Sequence, residues 1–177
     1  MKKILLFALL PICFNAISQQ SILPVKDGSI NYSEVVTVDS SLKKSDLFIN
    51  AKKFFVGVYK SGKDVIQMED KDAGIIIGKG YFKTYWKANL IFSADMDVWH
   101  TIKISIKDGK YKYEITDFTY KYSTPSGNYG ETAHEGDLNK WTAHNSNKTL
   151  TEISIKEKDE ILVLKDYMGK KSLTSDF

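Results

Sequence analysis

Two adjacent segments in the middle of the chain alternate apolar and polar residues, which is the pattern of half-buried β-strands. They are Val98–Lys107 and Lys110–Tyr120, and they flank Asp108-Gly109, a pair that favours a two-residue type I′ hairpin turn. The turn sets a register in which Ile104 faces Tyr113, with the apolar side chains of both strands on one side. One apolar face and one polar face predict an antiparallel sheet that is covered on one side only.

Two other segments carry apolar residues at helical spacing. The first is predicted to be a helix over Asp46–Tyr59, with Ser45 as its N-cap. The second begins at the capping-box pattern Thr149-x-x-Glu152 and ends near Met168. Its apolar stripe consists of Leu150, Ile153, Ile161, Leu164 and Met168.

Three further segments favour strands: Ser29–Val38, Val65–Glu69 and the stretch AGIIIGKGYF at Ala73–Phe82. The last one invites comparison with a phosphate-binding loop. A true P-loop has four residues between its glycines and a Ser or Thr after the lysine, whereas here three intervene and Gly80 follows. Gly78 and Gly80 are therefore predicted to be bulge or close-approach positions in a strand. Together the elements predict a single α+β domain, an antiparallel sheet with helices packed on one face.

The segment from Ser123 to Asn147 has no periodicity and is rich in Ser, Thr, Gly and Asn. Twenty-five residues are long for a loop in a compact domain, so the segment is functional, partly disordered, or contains a short element. Tyr129 and Trp141 lie in it among small polar residues, a composition typical of adaptable recognition surfaces. Both are predicted binding residues; the alternative is that they anchor the loop to the core.

Residues 1–18 are predicted to be a signal peptide. Two lysines precede an apolar stretch, residues 4–17, that is too short to span a bilayer comfortably. Ala16-Ile17-Ser18 fits the small-x-small rule, so cleavage is expected before Gln19. Cys13 leaves with this segment, and the bulky Ile12 before it argues against lipid attachment. Residues 19–177 are then an exported single domain (periplasmic, outer-surface or secreted) without any cysteine.

The charged residues limit the classes of partner. All 25 basic residues are lysines, and loss of Lys2 and Lys3 leaves 23 lysines against 22 acidic residues, a net charge of +1. So small a charge creates no long-range attraction to nucleic acid or to an anionic membrane. Without arginine the chain also lacks the planar fork that reads guanine and clamps phosphoryl groups. We expect neither a nucleic-acid partner nor a membrane span.

The order of these elements and two short motifs resemble a bacterial family of unknown function. Its members are exported proteins with a TATA-binding-protein-like (TBP-like) fold. The motifs are Gly78-Lys79-Gly80 and the run Lys107-Asp108-Gly109-Lys110-Tyr111-Lys112-Tyr113, where the family usually has arginine in place of Lys110 or Lys112. The resemblance covers roughly Leu23 to Met168. It implies a TBP-like domain of β-α-β-β-β-β-α order, but it implies neither DNA binding nor any catalytic or binding residue.

The histidines suggest two kinds of chemistry. His134 and His144 lie in identical Thr-Ala-His tripeptides ten residues apart, with Glu135 and Asp137 between them. Two imidazoles and a carboxylate can hold catalytic zinc, although this is not a His-Glu-x-x-His helix. Separately, an uninterrupted hairpin ladder would place His100 opposite Asp117, the start of a general-base arrangement.

A change of phase argues against that second pairing. Phe118, Tyr120 and Tyr122 look like core residues, yet they have the phase opposite to Tyr111 and Tyr113. A β-bulge near Asp117 would explain the change and would break the His100–Asp117 pairing.

The favoured function is non-enzymatic. We expect an exported module that binds a protein or small-molecule ligand without a cofactor or a metal, using the Ser123–Asn147 segment or the open sheet face. The alternative is a periplasmic hydrolase, with or without a metal, that uses His134 and His144. The polar residues of the open face are Thr101, Lys103, Ser105, Lys112, Glu114 and Thr116.

Overall fold

The computed structural model of the chain describes residues 22–59, 65–87, 93–126, 130–141 and 146–171. The predicted signal peptide therefore lies outside the described residues. Neither described helix is both long enough and apolar enough to cross a membrane. The elements in chain order are β1 Val25–Lys26, β2 Ser29–Ile30, β3 Tyr32–Thr37, α1 Lys44–Val58, β4 Ile66–Asp70, β5 Ile75–Lys87, β6 Ser93–Lys107, β7 Lys110–Ser126, β8 Gly130–Asp137, a 3-10 turn Leu138–Lys140 and α2 Ser146–Gly169.

The main sheet is antiparallel, in the order β3-β7-β6-β5-β4, and β8 pairs with the second half of β7. In β6 every second residue is buried along the whole strand, so the sheet has one inner and one outer face. Both helices cover the inner face, where Phe55 of α1 and Ile153 of α2 are fully buried with Ile104 of β6. This confirms the predicted α+β class, with an antiparallel sheet and helices on one face.

The Asp108-Gly109 turn joins β6 and β7 as predicted, but it is not a type I′ turn. That type needs positive φ at both central residues, whereas φ is positive (67°) at Gly109 and not at Asp108. Asp108 is held from outside the hairpin, because its Oδ1 accepts a hydrogen bond from the Lys44 amide at 2.7 Å. Type I′ geometry occurs instead between β1 and β2, where Asp27 and Gly28 have φ values of 52° and 78°.

The predicted bulge in β7 is confirmed. The register set by the turn holds as far as the Thr101–Thr116 pair and then shifts by one residue. Asp117 is the extra residue, with φ of 56° and an exposed side chain, and Phe118 turns into the core with 1% of its surface exposed. The shift removes the ladder position that would have set His100 directly opposite Asp117.

The segment from Ser123 to Asn147, predicted as a polar loop, is largely regular structure. β7 continues to Ser126, β8 pairs with it in antiparallel fashion, and the 3-10 turn leads towards α2. The strand went unrecognised because its sequence, GETAHEGD, contains one apolar residue, Ala133, and does not alternate. Backbone hydrogen bonds to β7, rather than burial of side chains, define it.

Both helices begin earlier than the sequence indicated. In α1 the Asp46 carboxylate accepts a hydrogen bond from the Lys43 amide at 3.0 Å, so Ser45 lies inside the helix instead of capping it. In α2 the predicted cap, Thr149, is also internal. It is buried, and its hydroxyl donates to the backbone carbonyl of Tyr85 at 3.3 Å.

Candidate functional site

Trp141, one of the predicted binding residues, belongs to the core. It directly follows the 3-10 turn, has 8% of its surface exposed, and its ring centroid lies 5.8 Å from that of Tyr120. Its edge also lines a cavity of about 530 Å³ together with Ile30 and Leu150. Tyr129, its predicted counterpart, lies outside the described residues.

His134, the second predicted binding residue that the structure describes, lies on β8. Its ring stacks on that of Tyr122, with the centroids 4.7 Å apart and the planes at 14°. Its Nε2 lies 3.0 Å from the Thr124 hydroxyl. The neighbouring Glu135 carboxylate is 3.7 Å from the Lys121 ammonium group. His144 falls outside the described residues, so the described contacts of His134 are those of a strand residue packed on a tyrosine.

A buried polar cluster, consisting of Tyr59, His100, Glu157 and Glu160, links both helices to the inner face of the sheet. His100 Nδ1 lies 3.4 Å from Glu157 Oε2, and its Nε2 lies 3.2 Å from Glu160 Oε1. The Tyr59 hydroxyl is 3.2 Å from the same Nε2 and donates a hydrogen bond to Glu160. One imidazole on β6 therefore contacts two acids of α2 and the tyrosine that follows α1.

Two glycines of β5 make room for these contacts. A Cβ at Gly80 would lie 2.7 Å from His100 Nε2 and would overlap the Tyr59 ring. A Cβ at Gly78 would lie 2.8 Å from atoms of the Phe55 ring. The ladder between β5 and β6 continues without interruption through both glycines. Both are therefore close-approach positions, which was one of the two roles predicted for them. On the other side of β5 the register with β4 shifts between Ile66 and Met68, next to Gly78, so the irregularity there has its extra residue on β4.

Burial determines the charge states in the cluster. It raises the pKa of Glu157 from 4.5 to about 7; the nearby His100 lowers this pKa and Glu160 raises it. Burial by itself lowers the pKa of His100, but the hydrogen bond to Glu160 and the charge of Glu157 outweigh it, so the pKa of His100 is raised. Burial and the adjacent Glu160 also raise the pKa of Tyr59, so its hydroxyl stays a donor.

The cluster is placed to hold protons rather than to receive a ligand. Within the described part of the chain, His100, Glu157 and Glu160 form the group of metal-type ligands whose atoms lie within 4.8 Å of one another. The nearest ring nitrogen differs for the two carboxylates: Glu157 lies next to Nδ1 and Glu160 next to Nε2. The side chains of His100 and Glu157 are completely inaccessible to solvent. The contacts among Tyr59, His100 and Glu160, together with the approach of Glu157 to His100, therefore join both helices to the sheet.

Sequence reasoning missed this cluster although the chain carries a signal for it. Glu157 lies midway between Ile153 and Ile161, four residues from each, on the apolar stripe of α2. A carboxylate on a buried stripe needs a polar partner. That partner, His100, comes from a strand 57 residues away, and only the register of the sheet and the helix position bring them together.

The outer face of the sheet carries a different feature, which we call the outer aromatic surface: Tyr81 and Tyr85 of β5 and Trp99 of β6. Tyr81 and Trp99 are paired across the two strands, with ring centroids 6.1 Å apart and planes at 28°. Tyr81 is 49% exposed and Tyr85 45% exposed. Beside them Trp99 helps to line a shallow cleft of about 410 Å³ with Thr119 and Lys121.

Comparison with known proteins is consistent with this architecture. A family model described as a domain of unknown function (DUF4468) with TBP-like fold matches residues 32–121, just over half of the chain. The crystal structure of a DUF4468 family protein from Bacteroides ovatus is similar with a TM-score of 0.62 at 14% identity, covering 87% of this chain and 94% of that one. A TBP-like protein from Parabacteroides distasonis is similar with a TM-score of 0.60 at 17% identity, covering 84% and 97%. No curated protein matches the chain.

Proposed function

The chain belongs to DUF4468, a family of domains of unknown function with a TBP-like fold, and on that premise we propose an exported, non-enzymatic binding module. Its ligand-binding site is the outer aromatic surface, and the ligand class that suits this surface is a saccharide chain. The observation that carries the proposal is the stacked pair of Tyr81, which is exposed, and Trp99, which is half-buried on the same outer face.

The aromatic rings offer flat apolar area that the fold itself does not cover. Tyr81 and Tyr85 are the exposed aromatic residues of a strand whose inner face packs on the helices, and roughly half of the surface of each residue is accessible to solvent. Tyrosine and tryptophan combine an apolar ring with a polar tip, which suits a ligand that alternates C–H faces with hydroxyl groups. A sugar ring has both properties.

The charges beside the outer aromatic surface favour an uncharged ligand. Lys83 lies 3.3 Å from Asp97 across β5 and β6, and Lys121 lies 3.7 Å from Glu135 across β7 and β8. Each lysine is thus matched by a carboxylate of the next strand. Such pairs present both donors and acceptors at the rim of the rings while leaving little net charge to attract an anion.

The contrast between the two faces of β6 supports a binding role over a catalytic one. Trp99 lies on the outer face, while its neighbour His100, a titratable group with a raised pKa, points inward and is fully buried. General acid–base chemistry needs the titratable group within hydrogen-bond reach of the ligand. The hydrolase alternative with His134 and His144 gains no specific support, since His134 contacts Thr124 and Tyr122.

The test uses the mature chain labelled with 5-fluorotryptophan. The chain has three tryptophans, so it gives three ¹⁹F signals. Maltoheptaose, mannan, xylan and a disaccharide-peptide fragment of peptidoglycan are titrated in turn. We expect at least one saccharide to shift the Trp99 signal saturably while the Trp141 signal stays fixed. Tyr81→Ala should weaken that binding by about tenfold or more, as expected for loss of a central aromatic contact.

Leu162→Ala is the matched control, because Leu162 is a 64% exposed apolar residue on α2, away from the outer face. It should leave the dissociation constant unchanged. If no saccharide in the panel shifts the Trp99 signal, or if the shift persists at the same affinity in Tyr81→Ala, the proposed ligand class is wrong.

Export is tested separately by fractionating cells and measuring the intact mass of the native protein. The signal-peptide hypothesis predicts a chain that begins at Gln19 in the exported fraction. Intact Met1 on a cytosolic protein would contradict it.

A further inference from the structure

A second site lies at the opposite end of the outer face, and we propose that it binds a small amphiphilic carboxylate, a molecule with one anionic head and an unbranched apolar tail. We call it the hairpin-end groove. It has a volume of about 450 Å³, within the usual range of small-molecule sites. Strands β3, β7, β6 and β5 line it near the turn, with Val35, Ala73, Ile75, Ser105, Ile106, Lys107, Lys110, Tyr111 and Lys112.

The floor of the groove has a partly exposed apolar residue at each end and polar residues between them. Val35 of β3 is 61% exposed, and Ile75 of β5 is half-buried on the same outer face. In the ladder these two residues mark the ends of one row that crosses four strands, through Lys112 and Ser105. Four strands at about 4.8 Å spacing make this row roughly 14 Å long. An extended alkyl chain lying across the strands would cover it.

The rim of the groove carries uncompensated positive charge. Lys107 and Lys110 are direct cross-strand partners beside the turn, and both are exposed. Like charges directly opposite each other destabilise a hairpin. Among the described residues neither lysine forms an ion pair, whereas the nearby Lys112 is 2.7 Å from Glu114. No carboxylate belongs to the groove lining. A bound anion would relieve this repulsion.

The head-group class follows from this geometry. Two ammonium groups on neighbouring strands can each donate to one oxygen of a single carboxylate. Among the described residues Lys107 and Lys110 form no ion pair, whereas Lys83 and Lys121 beside the outer aromatic surface each have an acidic partner. The hairpin-end groove is thus a separate site, and its test is independent of the saccharide proposal.

The first experiment titrates hexanoate, octanoate and decanoate, all below the concentrations at which they form micelles, into the ¹⁵N-labelled mature chain. We expect saturable amide shifts at Gly74, Lys107 and Gly109, with the dissociation constant falling by up to about fourfold for each CH₂ group that becomes buried. Octanamide, with the same tail and no charge, should bind at least about fivefold more weakly than octanoate. The ¹⁹F signal of Trp99 should not move.

The variant Lys107→Gln/Lys110→Gln should bind octanoate at least about fivefold more weakly than the parent does. It should also lose most of the parent's preference for octanoate over octanamide. Lys148→Gln/Lys158→Gln removes the same charge from exposed positions on α2 and serves as the control. Affinity that is independent of tail length, equal binding of octanamide, an unchanged dissociation constant in Lys107→Gln/Lys110→Gln, or no saturable shift with decanoate would each overturn the proposal.

Discussion

Replacing Glu157 by Gln should change how the stability of the fold depends on pH. Glu157 is fully buried, its two carboxylate oxygens have no hydrogen-bond partner among the described residues, and its pKa is raised to about 7. The ionisable groups that shift its pKa are His100 of β6 and Glu160 of α2. The charge of Glu157 in turn raises the pKa of three tyrosines packed around it: Tyr59 after α1, Tyr32 of β3 and Tyr113 of β7.

The size of the pH-dependent contribution of Glu157 to the free energy of unfolding follows from the linkage between protonation and folding. The pKa of Glu157 is 4.5 in the unfolded chain and about 7 in the fold, so folding favours the protonated acid. Its stabilising effect is complete below pH 4.5 and is lost as the pH rises through 7. Between pH 5 and pH 8 the loss amounts to about 2–3 kcal/mol. The raised pKa of His100 acts in the same direction, since its contribution is also lost as the pH rises.

The assay is urea unfolding of the mature chain and of Glu157→Gln at pH 5, 6, 7 and 8. Glutamine cannot ionise, so the free energy of unfolding of the variant relative to that of the parent should rise with pH by about 2–3 kcal/mol across this range. Glu152→Gln, at a half-exposed position of the same helix, is the matched control and should run parallel to the parent. If the free energies of unfolding of the parent and of Glu157→Gln change with pH in parallel, within about 0.5 kcal/mol, Glu157 does not titrate between pH 5 and pH 8 in the folded protein.

Three further predictions concern the turn, the close-packed strand and metal binding. Gly109→Val should lower the free energy of unfolding by at least about 1 kcal/mol, because a β-branched residue is strained at φ of 67°; an unchanged melting temperature would refute this. Gly78→Ala should cost about 1–3 kcal/mol by overlap with a buried phenylalanine ring of α1, whereas Gly130→Ala, whose Cβ would meet its nearest atom at 3.6 Å, should be nearly neutral in the same urea titration. The melting temperature should be equal with zinc and with chelator; a zinc-dependent rise that disappears in His134→Ala/His144→Ala would favour the hydrolase instead.

The central hairpin could be predicted from the sequence because two independent signals coincide there. The alternation of β6 and β7 and the Asp108-Gly109 pair both specify one register, and the structure has it. The turn type could not be predicted, since the amide of Lys44 holds Asp108 from a helix distant in sequence. Local preference was overridden by a tertiary hydrogen bond.

Strand β8 and the buried polar cluster were both missed for the same reason. Exposed positions, and isolated polar residues within an apolar segment, leave little periodicity in the sequence. β8 contains almost no apolar residue, so its existence depends on the free edge that β7 offers to it. The buried polar cluster combines one glutamate from an otherwise apolar stripe with a histidine from a strand that alternates as expected. Glu157 is unusual on its stripe, but its partner could not be predicted, because the pairing with His100 depends on where α2 crosses the sheet.

The extra residue at Asp117 makes the length of β7 as important as its composition. The strand buries odd-numbered residues before this point and even-numbered residues after it, and β3 pairs with the first part while β8 pairs with the second. A deletion of Asp117 would restore uniform alternation and turn the second set of aromatic side chains towards the outer face. A change in the number of residues in β7 therefore requires a compensating change in β6 or an inverted pattern downstream. The two sets are Tyr111, Tyr113 and Ile115 before the bulge, and Phe118, Tyr120 and Tyr122 after it.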